Sequence, residues 1–150
     1  MEMSRVWVDA DEFEELIQNG RRCLESGESL MGAERFTEAV NLYRGDFLED
    51  EHYADWAVPE RERLRGLATE ALRLLAQLAR ARADLESAAA HLERLAGLHP
   101  FDSGAQREMM EMCIARGRRS EAMRRYEALR ARMLRQFGER PDFELSDLSG

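Results

Sequence analysis

At 150 residues the chain has the length of one ordinary domain, able to bury roughly two-thirds of its extended surface with no metal or disulfide staple. Its net charge of −8, from 30 acidic and 22 basic side chains, excludes a general affinity for polyanions, because nucleic-acid binding needs a basic surface to neutralise phosphates. A charged fraction of 35% suits no deeply buried sheet, and abundant Ala, Leu, Arg and Glu with little Val or Ile favours helices.

The first eight residues, with Arg5-Val6-Trp7-Val8, read as a short extended lead-in. Asp9 or Asp11 then caps a first helix carrying Phe13, Leu16, Ile17 and Leu24, and Gly27 stops it. A second helix fits Leu30 to Tyr43, with Phe36, Ala39, Val40 and Tyr43 on one stripe and Gly45 suited to the left-handed residue after its last turn. The stretch from Gly45 to Ala54 is irregular. Asp55 is placed to cap a third helix, whose first turn tolerates Pro59 because a missing donor is least harmful there. That helix runs to about Arg82, with Leu64, Leu67, Ala68, Ala71, Leu72, Leu75 and Ala79 inward.

Asp84 caps a fourth helix, Leu85 to about Leu98, which His99-Pro100 terminates because proline disfavours helical geometry in its predecessor. Asp102 or Ser103 opens a fifth that ends at Gly117. Ser120 caps a sixth running to about Phe137, where Gly138 and Pro141 punctuate the chain again. The fold class predicted is all-α: about six antiparallel helices in three pairs.

A repeat decides among helical architectures. Residues 69 to 100 align with 103 to 134 at a shift of 34, which sets Leu75 on Met109, Ala79 on Cys113, Ala88 on Ala122, Leu92 on Tyr126 and Leu95 on Leu129. That period is the tetratricopeptide one. Small residues at Ala88 and Ala122 let paired helices approach, while large ones plug the groove to the next pair. A third copy shows in Thr37-Glu38-Ala39 and Tyr43, which match Ser120-Glu121-Ala122 and Tyr126 after a longer connection.

The chemistry of an enzyme is missing from the pattern. No nucleophile stands with a base, no glycine-rich phosphate loop occurs, and His52, His91 and His99 lack metal-ligand spacing, so no catalytic, cofactor or metal residue is assigned. The acidic run Glu49-Asp50-Glu51 reads as a hydrated loop. Cys23 and Cys113, ninety positions apart, read as buried reduced thiols, and no apolar run reaches the length of a membrane span, so the expectation is a cytoplasmic protein without membrane contact. Charge is uneven: residues 1 to 62 hold 17 acidic and 6 basic side chains, against 13 and 16 in the remainder. Met109, Met110 and Met112 read as core fillers, and Arg132 is placed on the surface among the arginines of the last helix pair, where Glu111, Glu121 and Glu127 are spaced to pair with them.

The order of features resembles the bacterial transcriptional activator domain, the helical module that follows the winged-helix DNA-binding domain in antibiotic regulatory proteins. Its marks are Asp9 through Phe13 and Leu16, the segment Leu42-Tyr43-Arg44-Gly45-Asp46-Phe47-Leu48, and Trp56 with Glu60-Arg61 and Leu64. Leu75-Ala76, His99-Pro100-Phe101, Gly117 to Ala122, Tyr126 with Leu129-Arg130, and Phe137-Gly138 before Pro141 complete them.

The resemblance implies a tetratricopeptide-like domain over 9–150, with 1–8 as the expected remnant of an upstream winged helix. It implies a non-catalytic interaction domain whose partner is a protein: another domain of the same regulator, a second copy in a homodimer, or the transcription machinery. It gives no specific DNA binding to this chain alone. Because the first helix of each tetratricopeptide repeat lines the concave face, it nominates Arg73, Gln77, Arg80, Arg107 and Glu111 as groove residues. Two rival readings are a co-chaperone-like scaffold outside transcription and a small-molecule sensor with a pocket between helices. A winged helix encoded upstream would separate them.

Overall fold

One turn, used three times, ends the first, third and fifth helices. A computed structural model describes the backbone of residues 2–43 and 58–148, with side chains for 10–43 and 59–148. Among the described residues there are six α-helices and no strand: α1 (Glu2–Glu25), α2 (Ser29–Leu42), α3 (Val58–Ala81), α4 (Leu85–Leu98), α5 (Ser103–Ala115) and α6 (Arg119–Phe137), followed by a 3-10 turn at Leu145–Asp147. The fold is all-α and tetratricopeptide-like.

After α1, the N–H groups of Gly27 and Glu28 donate to the carbonyls of Leu24 and Cys23, at 3.1 and 2.7 Å. After α3, Ala83 and Asp84 donate to Arg80 and Ala79; after α5, Gly117 and Arg118 donate to Ile114 and Cys113. The middle residue of each turn is left-handed, with φ of +82° at Gly27, +61° at Ala83 and +74° at Gly117. This is the Schellman arrangement, which satisfies the last carbonyls of a helix while turning the chain back. Positions 83 and 117 differ by the 34-residue period, whereas 27 and 83 are further apart because the connection through 44–57 intervenes.

The chain divides into two units, residues 1–78 and 79–150. In the first, α1 and α2 bury Phe13, Ile17, Phe36, Ala39, Val40 and Tyr43, with the Phe13 and Tyr43 rings 5.5 Å apart. Glu14 on α1 pairs with Arg63 on α3, and Arg21 on α1 with Glu70 on α3. Both pairs are 49 residues apart, so α1 and α3 run parallel and in register over two turns. The hydrogen bonds that the Arg63 guanidinium donates to Glu14 and Glu60 raise its pKa. Leu64, Ala68, Ala71, Leu72 and Leu75 are buried as expected. Leu67 is instead half-exposed, since helical spacing places it at the stripe's margin, beside Arg63 and Glu70.

The extended lead-in over 1–8 is corrected by the structure: residues 2–10 are helical, and Asp9 and Asp11 lie inside α1 rather than at its cap. The spacing Val6, Ala10, Phe13, Ile17 already runs 4, 3, 4, so the helical period continues upstream of Asp9 and outweighs the strand preference of two valines. Asp55, Gly45 and the irregular stretch between them lie outside the described residues.

In the second unit, Asp84 caps α4 by accepting from the Ser87 N–H at 3.1 Å and its hydroxyl at 2.8 Å, which holds the Asp84 carboxyl below its ordinary pKa. Asp102 caps α5 through the N–H groups of Gly104 and Ala105. Buried Gln106 donates to the carbonyls of Ala96 and His99, supplying partners at the C-terminal end of α4. Ser120 is not a cap. Arg118 holds that place, with its N–H committed to Cys113 and its carbonyl to the Ala122 N–H, and α6 begins at Arg119.

All ten positions paired by the 34-residue alignment are buried, and Ala39 and Tyr43 in the first unit match them. Met109, Met110 and Met112 are buried in the second unit. Arg125 on α6 pairs with Glu93 on α4, and Arg132 donates to the Pro100 carbonyl at 3.0 Å; both are offset by 32 residues, so α4 and α6 also run parallel. Arg132 is therefore only partly on the surface, and its Nε is buried. Gly138, at φ +67°, ends α6. The chain then returns to bury Pro141, Phe143 and Leu148, with the Tyr126 hydroxyl donating to the Phe143 carbonyl at 3.1 Å.

Candidate functional site

The five nominated groove residues stand on two helices. Arg73 and Gln77 are one turn apart on the part of α3 in the first unit; Arg73 is half-buried and Gln77 exposed. Arg80 is exposed in the last turn of α3, within the second unit, where a cation opposes the negative end of the helix dipole. Arg107 and Glu111 are brought together on α5 by an ion pair of 3.6 Å at i, i+4 spacing. They share the side left over when Met109, Met110, Met112 and Cys113 turn into the core.

Arg107 is not wholly solvent-facing. Its guanidinium lies 5.5 Å over the Phe143 ring, which is itself edge-on to Tyr126 at 5.6 Å. Sequence reasoning took Pro141 as punctuation and missed Phe143; its signal was an aromatic residue two positions past a proline in an otherwise polar tail.

Between residues 116 and 135 stand eight arginines and two carboxylates. Arg118 and Arg125 share Glu121, at 3.8 and 3.2 Å, and Arg130 pairs with Glu127 at 3.6 Å. Arg116, Arg119, Arg124 and Arg135 form no ion pair among the described residues. The Cys113 thiol is buried with Sγ 3.3 Å from a Glu121 oxygen, and burial followed by that carboxylate pushes its pKa up, which keeps it a protonated, unreactive thiol. Cys23 is half-buried, and both cysteines are free.

A cleft of about 300 Å³ in the second unit has Ala89, Ala90 and Met109 in its lining, among side chains already engaged with one another through Glu93–Arg125, Glu121–Arg125 and Arg118–Glu121. Arg116, without an ion pair among the described residues, and Glu86 complete that lining. Among the described residues no three His, Cys, Asp or Glu side chains are grouped to hold a metal, and no helix is long and apolar enough to cross a membrane. His52, the run Glu49-Asp50-Glu51, the segment Arg44 to Leu48 and Trp56 lie outside the described residues.

The family model described as bacterial transcriptional activator domain matches residues 8–150. The regulatory protein DnrI of Streptomyces peucetius is 30% identical over 146 residues, an alignment covering 94% of this chain and 52% of that protein. The chain thus spans about half the length of that relative. No solved structure gives a significant match.

Proposed function

Because the chain belongs to the bacterial transcriptional activator domain family, we propose that it acts as a non-catalytic docking domain of a bacterial transcriptional regulator in the cytoplasm. The family match over 8–150 is the observation that carries this reading. The helical pairs support it, since such repeats present side chains on rigid scaffolds for another protein to grip. Arg73 and Gln77 in the first unit, and Arg80, Arg107 and Glu111 in the second, are the proposed contacts. The occupant is a segment of the same regulator, a second copy, or the transcription machinery.

The test uses a longer regulator that carries this domain behind a DNA-binding winged helix. Arg73→Glu, Arg80→Glu and Arg107→Glu together are expected to lower activated transcription about tenfold or more, while operator affinity stays within about twofold. Loss of operator binding by a folded triple variant would place those arginines on DNA and end the docking reading.

A further inference from the structure

Residues 141–148 lie on the last repeat in the manner of a bound peptide. Pro141, Phe143 and Leu148 are buried, while Asp142, Glu144, Ser146 and Asp147 are exposed. The backbone bonds that shape the segment are its own. The Glu144 N–H donates to the Asp147 carboxylate at 3.0 Å, and the N–H groups of Asp147 and Leu148 donate to the carbonyls of Glu144 and Leu145. Its hydrogen bonds to the rest of the chain, among the described residues, come from Tyr126, whose hydroxyl is 3.1 Å from the Phe143 carbonyl and 3.3 Å from a Glu144 carboxylate oxygen. The Phe143 ring meets Tyr126 edge-on at 5.6 Å and lies under the Arg107 guanidinium at 5.5 Å. Exposed Gly138, Glu139 and Arg140 join the segment to α6.

We propose that the α5–α6 face holding Tyr126 and Arg107 is a recognition site for an aromatic, acidic peptide segment, that residues 141–148 are its resident occupant, and that a segment of the same chemistry on a partner protein displaces them. Because the backbone bonds of 144–148 close within the segment, its shape travels with its sequence, and the same residues presented by another chain are ready to dock. The contacts state the ligand: an aromatic ring between Tyr126 and a cation, a carbonyl and a carboxylate within reach of one hydroxyl, and an aliphatic residue five positions after the aromatic. Charge points the same way, since residues 139–148 hold four carboxylates and one arginine, against six arginines and two glutamates on α6. Displacement also bares the Arg107 guanidinium, so the segment is a cover on one of the contacts proposed above. The site shares Arg107 alone with that docking reading, and a titration of the chain itself tests it apart from transcription.

The probe is a fluorescein-labelled synthetic peptide of residues 139–150, compared with a scramble of equal composition. The wild-type chain should bind it weakly, because the resident segment competes from a local concentration on the order of millimolar. Phe143→Ala, and more strongly Phe143→Ser with Leu148→Ser, should empty the site in the whole chain and tighten peptide binding about tenfold or more, read by anisotropy near 0.15 M salt. Adding Tyr126→Phe or Arg107→Gln to the double variant should weaken the peptide about fivefold. A peptide carrying Phe143→Ala should bind none of these proteins. Helical circular dichroism should be preserved in the emptied variants, since losing an occupant leaves the helices standing. Equal binding of the scramble, no gain in either emptied variant, no effect of Tyr126→Phe and Arg107→Gln, or loss of helix in both emptied variants would each overturn the proposal, the last by making residues 141–148 part of the fold. A wild-type dimer in sedimentation that the peptide converts to monomers would put a second copy in the partner's place and overturn it as well.

Discussion

Gly20 on α1 and Phe36 on α2 are packed so closely that a Cβ at Gly20 would lie 2.8 Å from the Phe36 Cε1 atom. Phe36 is fully buried, so its ring has nowhere to retreat. Gly20→Ala should therefore destabilise the protein by about 1 to 3 kcal/mol through overpacking, even though alanine is the better helix former. Gly66, inside α3, has open space where its Cβ would go, and Gly66→Ala should stabilise by about 0.5 to 1 kcal/mol. Urea denaturation of the pair gives the comparison. Two changes of the same sign would mean that α1 and α2 do not close on Gly20.

Ala83 holds the left-handed position that Gly27 and Gly117 hold in the other two turns. An L side chain pays a steric cost there that glycine avoids. Ala83→Gly is expected to stabilise by about 0.5 to 1 kcal/mol, and Gly117→Ala to destabilise by at least as much. Thermal melts would settle it: a lower melting temperature for Ala83→Gly, or a higher one for Gly117→Ala, contradicts the shared turn geometry.

The repeat was legible because its signal is local. Leu75 with Met109, Ala88 with Ala122 and Leu92 with Tyr126 recur at 34 residues, and each is buried. Helix ends set by proline or aspartate, at His99-Pro100 and Asp84, were legible for the same reason. The start of α1 was not, because Asp9 offers a cap in sequence that the continuing helical period overrides. Nor was Arg132's bond to Pro100 or the seat of Phe143 over Tyr126, since contacts between elements 32 and 17 residues apart leave no local pattern. Among the groove nominees, the Arg107–Glu111 pair could be read from i, i+4 spacing, but the Phe143 ring under Arg107 could not.

His91 on α4 is half-buried, and burial first, then the cations Arg94 and Arg82, push its pKa below the ordinary 6.5, with Asp84 opposing them. The neutral ring is thus the form the fold prefers. The unfolded chain takes up the proton first, so stability from this group is intact above pH 6.5 and is lost as pH falls from there through the lower folded value. Melting temperature should drop more for the wild type than for His91→Gln between about pH 7.5 and pH 5.5. Parallel curves for the two proteins would show that burial of His91 carries no protonation penalty.

The charge distribution sets what this chain does with DNA by itself. Residues 1 to 62 are strongly acidic, and in the basic α5–α6 region Arg116, Arg119, Arg124 and Arg135 are left, among the described residues, with neither an ion pair nor the backbone carbonyl that holds Arg132. About four phosphate contacts are then the most that region supplies, which bounds the slope of log affinity against log salt near −4. Between 50 and 200 mM salt such a contact weakens by roughly a hundredfold, from an already low affinity. In a mobility-shift assay the chain should give no sequence-dependent shift at physiological salt, and any smear at low salt should respond equally to unrelated duplexes. Arg124→Glu with Arg135→Glu should roughly halve the slope. A discrete complex with one duplex and not another, persisting at physiological salt, would show that this domain reads bases, and the assignment of its arginines to protein contacts would have to be withdrawn.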